Sequence, residues 1–533
     1  MQVRPSTPRR SLLWQGLLGL CLIACIIYIV WVLHDYSEQW QLAQIIAEID
    51  ATDPHWRWED IQARRPVIPD DQNMGNAIND IVIGLRLHNM NNIMRDLPAL
   101  PWKDSYVELF TKYKIETYDI FLENHPNAAL PRKWKGPVAK VMGMSPAPEL
   151  VEKMRQLTNY STGRFEHRKK KTNVLMVDVQ GSHTIKEFLS IDVMLSLEAG
   201  DVSTACRDCA AILVSARVYD HEDFPVSSMV RSSVVSAAMR SLERILARSN
   251  SVPVESLMAL QQAFEREESC MPSLVSYLRF FRAYYDQLLS EAQCGTVTFN
   301  DFMDEKRGNT FPARKNTLTG WKPVDDAIET IRPELFLESW ARPQSWTMER
   351  KHMLQFHNEL VRWGSLEEHR LLSELQRLKK EGVRLSPFFA AIFGQKYSEY
   401  QSEGGYVIAE RLAKSYLNHR ATCEATTAAL AAECYRLEHG TWPTSWEQLI
   451  PRHLATVPID PFTNKPLLLK ALPDGLVIYS VGPNGIDDGG SIARTAVNEP
   501  TLDVGFRLWN PAQRGIEMSG DIKKLEAQWS EEQ

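Results

Sequence analysis

Four oxygen-bearing side chains lie close together in a glycine-rich loop near the C-terminal end of the chain. Asn484, Asp487 and Asp488 fall within one short stretch, and Asp503 opens the next β-type run. Calcium takes about six to eight oxygen ligands and tolerates flexible geometry, so this pattern is typical of a calcium site. A solvated acidic turn is the alternative interpretation, and the sequence leaves both open.

A long amphipathic helix precedes the loop and must help to position it. Apolar residues recur three, four or seven apart over residues 412–437, which predicts a helix of about six turns. Gly440 can adopt the left-handed conformation that ends a helix, and Pro443 prevents the helix from continuing. Ser445 and Gln448 have the spacing of a capping box, which predicts a short second helix.

Two β-type runs follow, at residues 467–472 and 476–481. The residues between them, Pro473-Asp474-Gly475, predict a hairpin turn, because proline fixes φ and glycine accepts positive φ. Residues 504–508 predict a third strand. A two-stranded hairpin is marginally stable by itself, so we expect this small sheet to pack on the long helix.

In combination, these elements resemble the globular part of the major pseudopilin of bacterial type II secretion. The resemblance covers residues 412–510 of the 533-residue chain. The rest of the chain resembles uncharacterised bacterial membrane-anchored proteins. The residues that carry the pseudopilin resemblance are Tyr435-Arg436, His439-Gly440, Trp442-Pro443, Asp460-Pro461-Phe462, Asn464, Pro466, Gly475, Val477-Ile478-Tyr479-Ser480, Gly482-Pro483 and Asp488-Gly489-Gly490.

The resemblance implies a calcium site in the acidic loop. By position, Asp487, Asp488 and Asp503 would be the ligands, together with backbone carbonyls. Asn484 stands where an aspartate is frequent in similar loops, which removes one charge and predicts weaker binding. In the pseudopilin family the module continues directly from its own membrane helix behind a cleavable leader. Here charged and polar residues precede residue 412, and the apolar segment lies far upstream.

That apolar segment, residues 12–33, contains no charged residue. At 1.5 Å per residue it spans about 33 Å, enough for the hydrocarbon core of a bilayer. Arg4, Arg9 and Arg10 precede it, and the next basic residue is Arg57. The positive-inside rule therefore predicts a single-pass protein of the bacterial cytoplasmic (inner) membrane, with its N-terminus inside and the bulk of the chain outside the cytoplasm.

Two kinds of processed segment are alternatives to this uncleaved signal-anchor. A cleaved signal peptide is disfavoured because the run is too long and no A-x-A site follows it. Leu22-Ile23-Ala24-Cys25 fits a lipoprotein cleavage pattern, but the eight apolar residues after Cys25 would leave a hydrophobic stub on the mature protein.

The sequence predicts a mainly α protein with a small C-terminal α+β module. Apolar periodicity and Gly or Pro punctuation predict a succession of helices in the middle of the chain, arranged as stacked helical hairpins that resemble repeats. The predicted parts are a cytoplasmic N-terminus (1–11), a transmembrane helix (12–33), an irregular and helical membrane-proximal region (34–182), an α-helical domain (183–411), the pseudopilin-like module (412–510) and a C-terminal tail (511–533).

Neither the charge nor the cysteines of the chain indicate a specific chemistry. The net charge of −7 gives no sign of nucleic-acid binding. The basic run at residues 167–171 is interpreted as a solvated helix end or loop. The eight cysteines are interpreted mainly as buried small apolar residues, although cross-pairing in an oxidising compartment stays open.

Signatures of catalysis are also missing from the sequence. It contains no G-x-S-x-G, H-E-x-x-H or phosphate-binding loop, and no G-x-G-x-x-G after a strand. His352 and His357 lie five apart on a predicted helix and do not share a face for a metal. The acidic pairs Asp325-Asp326 and Glu367-Glu368 are interpreted as solvated helix starts.

The function that we expect is interaction or scaffolding in the cell envelope, without catalytic residues. The bilayer is the expected partner of the N-terminal helix, and an envelope protein of unknown identity is the expected partner of the rest. An extracytoplasmic hydrolase with a site assembled from scattered residues, and a component related to the type II secretion pseudopilin, are the alternative hypotheses.

Overall fold

A computed structural model describes residues 9–96, 126–127, 148–170, 173–176, 181–297, 343–381, 395–492 and 503–515. The described residues are mostly helical, with one three-stranded antiparallel sheet near the C-terminus, which confirms the predicted fold class. The helices are α1 (Arg9–Thr52), α2 (Trp58–Arg64), α3 (Met74–Asp96), α4 (Pro148–Arg155), α5 (Gly181–Glu198), α6 (Val202–Ser215), α7 (Pro225–Arg248), α8 (Val254–Ser269), α9 (Leu274–Gln293), α10 (Pro343–Gly364), α11 (Leu371–Glu381) and α12 (Gln395–His439).

Helix α1 continues without interruption from the apolar segment into the body of the protein. The side chains described in its apolar part are exposed, from 68% for Leu18 to 41% for Val32. Further along, Leu42 and Ile49 are buried against Trp56 and Leu354 of α10. Among the described residues, this is the one helix long and apolar enough to cross a membrane.

Charged side chains of α9 bind the C-terminal end of α1. Asp53, which follows the last residue of α1, accepts hydrogen bonds from Arg279 Nε at 2.9 Å and from Arg282. Arg282 also donates to Asn358 Oδ1 at 2.8 Å and lies over the ring of Trp56. Helices α1, α9 and α10 are therefore joined at one place, where the sequence predicts the end of α1.

The helices of the middle region begin and end at the predicted signals. Gly200, at φ +79°, separates α5 from α6, and Asp201 caps α6 by accepting from Thr204 N at 3.0 Å. Pro225 occupies the first turn of α7, and Ser273 caps α9. The basic run differs from the interpretation as a helix end or loop. Its residues His167–Lys170 form strand β1, which pairs with β2 (Asn173–Met176).

Helix α12 is much longer than the sequence predicts. It begins at Gln395 and runs to His439, whereas the sequence predicts one helix over residues 387–400 and another from residue 412. Residues 387–394 lie outside the described part of the chain. Gly404-Gly405 suggest a break, but a Cβ at Gly405 would lie 2.7 Å from the Phe356 ring. The glycine permits close packing of a neighbouring helix, which compensates for its low helix propensity.

The C-terminal sheet has the strand order β3 (Leu468–Leu472), β4 (Gly475–Ser480), β5 (Val504–Trp509). Leu472 pairs with Gly475 across the predicted turn, and the third strand is present. The predicted capping box is wrong, because Ser445 makes no side-chain cap to the 3₁₀ turn Trp446–Gln448. The Gln448 side chain instead accepts from Thr444 N at 2.7 Å.

Two hydrophobic cores share helix α12. The large core joins residues of α3–α8, the C-terminal half of α12 and the sheet, and its members on α12 run from Cys423 to Cys434. The second core joins α9, α10 and α11 to the N-terminal half of α12, from Tyr406 to Leu417. The sheet is therefore part of the same core as the helical middle region.

A buried ion pair fastens the residues after β5 to α12. Arg514 Nη1 and Nη2 each lie 2.8 Å from an oxygen of Glu433, and Arg514 Nη1 also donates to Ser249 O at 3.2 Å. Arg436 donates to the same carboxylate. Burial alone would raise the pKa of Glu433, but these two guanidinium groups hold it below its usual value.

We expect Glu433→Ala to destabilise the protein by about 3–5 kcal/mol, because it leaves two guanidinium groups without their buried counter-charge. The midpoint of urea unfolding of the detergent-solubilised chain measures this. Arg452→Ala is the matched control: Arg452 is 71% exposed and pairs with Glu438 at 3.0 Å, so we expect a loss of at most about 1 kcal/mol. Equal losses in the two variants would contradict the prediction.

Candidate functional site

The acidic loop is organised by hydrogen bonds between its carboxylates and its own backbone. Asp503 accepts from Gly490 N at 2.8 Å and from Asp488 N at 3.3 Å. Asp487 accepts from Gly489 N at 2.8 Å and from the Tyr479 hydroxyl at 3.0 Å. The structure thus brings the three predicted ligands to one loop, beside strand β4.

Glycines and one lysine fix the path of this loop. Gly489 and Gly490 have φ of +75° and +80°, which L side chains rarely adopt. A Cβ at Gly490 would also lie 2.8 Å from the Val477 side chain. Lys470 Nζ donates to Gly489 O at 2.7 Å and so places a positive charge against the loop. The loop conformation therefore depends on glycine at two adjacent positions.

The calcium site stays a prediction. Among the described residues, no three His, Cys, Asp or Glu side chains are arranged as ligands of one metal ion. Asn484 donates its amide to Asp488 Oδ2 at 2.9 Å, so this carboxylate oxygen already accepts a hydrogen bond within the loop. Burial and the nearby charges of Asp488 and Asp487 raise the pKa of Asp503, although the two backbone donors oppose the shift. A divalent cation would relieve this repulsion.

A second cluster of charged groups lies where the two cores meet along α12. We call it the polar layer, and its residues come from α12, from α7 and α8, and from two connecting turns: Asp220, Arg231, Arg266, Glu267, Glu268, Glu368, Tyr416, His419, Arg420 and Glu424. On α12, His419 and Arg420 fall between the residues of the second core and those of the large core, and Tyr416 and Glu424 lie at the adjoining edges of the two cores.

The inner half of the polar layer is a buried network of ion pairs. Arg231 has no exposed side-chain surface and binds Glu267 through Nε and Asp220 through Nη2, the latter at 3.0 Å. Arg266 holds the other oxygen of Asp220 at 2.8 Å, and His419 Nε2 lies 3.4 Å from Glu267. Burial would raise the pKa of Glu267, but Arg231 and then His419 lower it to about 2. Each buried charge therefore has an opposite charge in contact.

The outer half of the polar layer holds more carboxyl groups than cations. Arg420 contacts Glu268 at 2.9 Å and Glu368 at 3.4 Å, and the Tyr416 hydroxyl donates to Glu368 at 2.9 Å. Burial raises the pKa of Glu424, and the adjacent Glu268 raises it further, to about 8, against the effect of Arg420. Glu424 therefore retains its proton at neutral pH and can share it with Glu268.

Sequence reasoning missed the polar layer because its members are far apart in the chain. Glu367-Glu368 were interpreted as a solvated helix start, but Glu368 contacts α12. The one local signal is the polar set His419, Arg420 and Glu424 within a helix whose other buried positions are mainly apolar. Of the two histidines considered in the sequence, His357 is buried, its Nδ1 lies 2.8 Å from Met353 O, and burial lowers its pKa to about 4.

The cysteines form no disulfide in the structure, which describes all eight of them. Four are buried, as the sequence interpretation expects: Cys206, Cys209, Cys423 and Cys434. Burial raises the pKa of the Cys206 and Cys434 thiols to about 11, so both stay protonated at neutral pH. Thiols in this state are poor nucleophiles and poor metal ligands.

We expect the free energy of unfolding to fall as the pH rises from about 4.5 to about 8, because the raised pKa of Glu424 makes the folded state bind a proton that the unfolded state releases. Glu424→Gln should flatten this slope and stabilise the protein at pH 8 by about 1–3 kcal/mol. Urea unfolding across this pH range measures it. Glu265→Gln, an exposed position on α8, is the control. If the free energy of unfolding of Glu424→Gln falls with pH as steeply as that of the unmutated protein, Glu424 is not the group that causes the fall.

We also expect millimolar calcium to raise the melting temperature of the detergent-solubilised chain, because the ion would offset the repulsion among the loop carboxylates. Asp503→Asn should abolish the shift. Glu447→Gln, an exposed carboxylate of the same region, should retain it. If calcium leaves the melting temperature of the unmutated chain unchanged, there is no calcium site.

Comparison of the chain with family models, with curated proteins and with solved structures finds no match. The function is therefore inferred from the residues and contacts of the chain itself.

Proposed function

We propose that the protein is a single-pass protein of the bacterial inner membrane whose body lies outside the cytoplasm and acts in interaction or scaffolding in the cell envelope. The observation that carries the proposal is the contrast between the two halves of α1. The apolar half is exposed along its described length, and the following half packs against the body. An exposed apolar helix of this length is stable only with a lipid or protein covering, and its length fits a bilayer.

The charges on either side of the apolar segment support the proposed topology. Three arginines precede the segment, at positions 4, 9 and 10. The residues that follow it up to Arg57 contain acidic side chains and no lysine or arginine. The positive-inside rule assigns the basic side to the cytoplasm.

The C-terminal region supports a role in interaction. A long helix packed on a three-stranded antiparallel sheet is the arrangement expected of a pseudopilin-like module. The N-terminal half of α12 is buried in the second core through Tyr406, Leu412 and Leu417. This favours a fixed scaffold over a subunit that assembles through that helix.

A fusion of alkaline phosphatase to the C-terminus should be active in cells, and a green fluorescent protein fusion there should be dark, because the body is outside the cytoplasm. The protein should also stay in membranes washed with carbonate. Leu22→Arg should weaken this retention, since an arginine near the middle of the span costs about 2.5–3.5 kcal/mol. Leu22→Ile should retain it. An inactive phosphatase fusion together with a fluorescent green fluorescent protein fusion would exclude the topology.

The scaffolding role is tested by crosslinking in cells followed by purification of the full chain. A partner that depends on the folded C-terminal region should be lost with Glu433→Ala and kept with Arg452→Ala. Identical partners in both variants, at equal amounts of membrane-inserted protein, would contradict a role for that region.

A further inference from the structure

We propose that one end of the body rests on the lipid headgroups, so that the protein is held upright against the bilayer at a fixed height. The surface concerned consists of the exposed residues Cys294, Gly295 and Thr296 after α9, and of Tyr36 and Trp40 of α1. We call it the membrane-proximal face. The inference rests on the proposed membrane crossing and adds a second lipid contact to it.

Helix α1 has no hinge between the bilayer and the body. The helix is continuous to Thr52, and its first ion pair with the body, between Glu38 and Lys351, lies five residues after Leu33. Five residues of helix rise about 8 Å. The headgroup zone on each side of the hydrocarbon core is about 5–8 Å thick. The Glu38–Lys351 ion pair therefore lies at the outer edge of the headgroup zone.

The side chains on the outer surface of α1 also indicate a contact with the headgroups. Positions four apart on a helix lie near one another on its surface. One such row passes from Val32 through Tyr36, 70% exposed, and Trp40, 57% exposed, to Gln44, and it reaches the body at Glu48, which pairs with Arg362. The order aliphatic, aromatic, amide, carboxylate follows the change from hydrocarbon through headgroups to water, and tyrosine and tryptophan are enriched in the headgroup zone.

Helix α10 lies beside α1 and runs in the same direction. Lys351 pairs with Glu38 and Arg362 pairs with Glu48, so the two helices run parallel with nearly equal spacing. The first turn of α10 lies five to eight residues before Lys351, about 8–12 Å nearer the bilayer. That turn is therefore level with the end of the apolar segment, about the height of Leu33.

Helix α9 runs antiparallel to α10 and ends at the same level. Arg282 contacts Asn358 near one end of the pair, and Gln293 donates to Thr347 at 2.9 Å near the other. The exposed Cys294 follows directly. Cys270, before the start of α9, is 24 residues from Cys294, which places it about 30–36 Å farther from the bilayer.

The two cysteines provide the test. In the first protein, Cys21→Ser, Cys25→Ser and Cys270→Ser leave Cys294 as the one thiol that is not buried. In the second protein, Cys21→Ser, Cys25→Ser and Cys294→Ser leave Cys270 as that thiol. Each full-length protein is labelled with a fluorescent maleimide and reconstituted into phosphatidylethanolamine and phosphatidylglycerol vesicles that contain a headgroup-spin-labelled lipid. We expect severalfold stronger quenching of the label on Cys294 than of the label on Cys270.

Substitutions on α1 test the role of the aromatic row. Tyr36→Glu with Trp40→Glu should reduce the quenching at Cys294, because charged side chains disfavour the headgroup position. Gln44→Glu, on the same row farther from the bilayer, should leave it unchanged. Equal quenching at Cys294 and Cys270 in protein that floats with the vesicles would overturn the inference and leave the membrane anchor intact. Protein that does not float with the vesicles would instead overturn the proposed function.

Discussion

Both hydrophobic cores of this protein are built on one helix, and the rest of the structure depends on the continuity of that helix. Helix α12 gives its N-terminal half to the second core and its C-terminal half to the large core. At about 1.5 Å per residue, its 45 residues extend about 68 Å. A break in α12 would uncouple the helices that hold α1 from the helices that hold the sheet.

The small side chains of α12 allow this sharing. Residues 425–432 include five alanines that are fully buried, so α7, α8 and the sheet can approach the helix axis closely: Ala425, Ala428, Ala429, Ala431 and Ala432. Alanine also has the highest helix propensity, so the same residues favour the helix and the packing. The polar layer lies just before this stretch. Buried charges are costly without partners, and their pairing across α7, α8 and α12 favours one alignment of these helices.

Much of the local structure follows from the sequence because its signals are local. The helix break at Gly200, the proline at the start of α7 and the hairpin turn at Pro473-Asp474 each act within a few residues, and each lies where it was predicted. One error arises where a distant contact outweighs the local signal. Gly405 indicates a break, but Phe356 packs against it and the helix continues. A second error is local: the basic run was interpreted as a helix end or loop, but its residues 167–170 pair with the neighbouring residues 173–176, and a run of like charges gives no signal for this pairing.

The sequence by itself determined the long apolar segment, the helical middle region, the long C-terminal helix and the three strands, because periodicity, caps and turns are encoded in neighbouring residues. Only the tertiary structure decided which charges are buried together. Arg231, Glu267 and His419 are separated by 36 residues or more along the chain, and no short window contains all three. The pKa of Glu267 depends on burial and on opposite charges from other helices, and these exist only after the helices have packed.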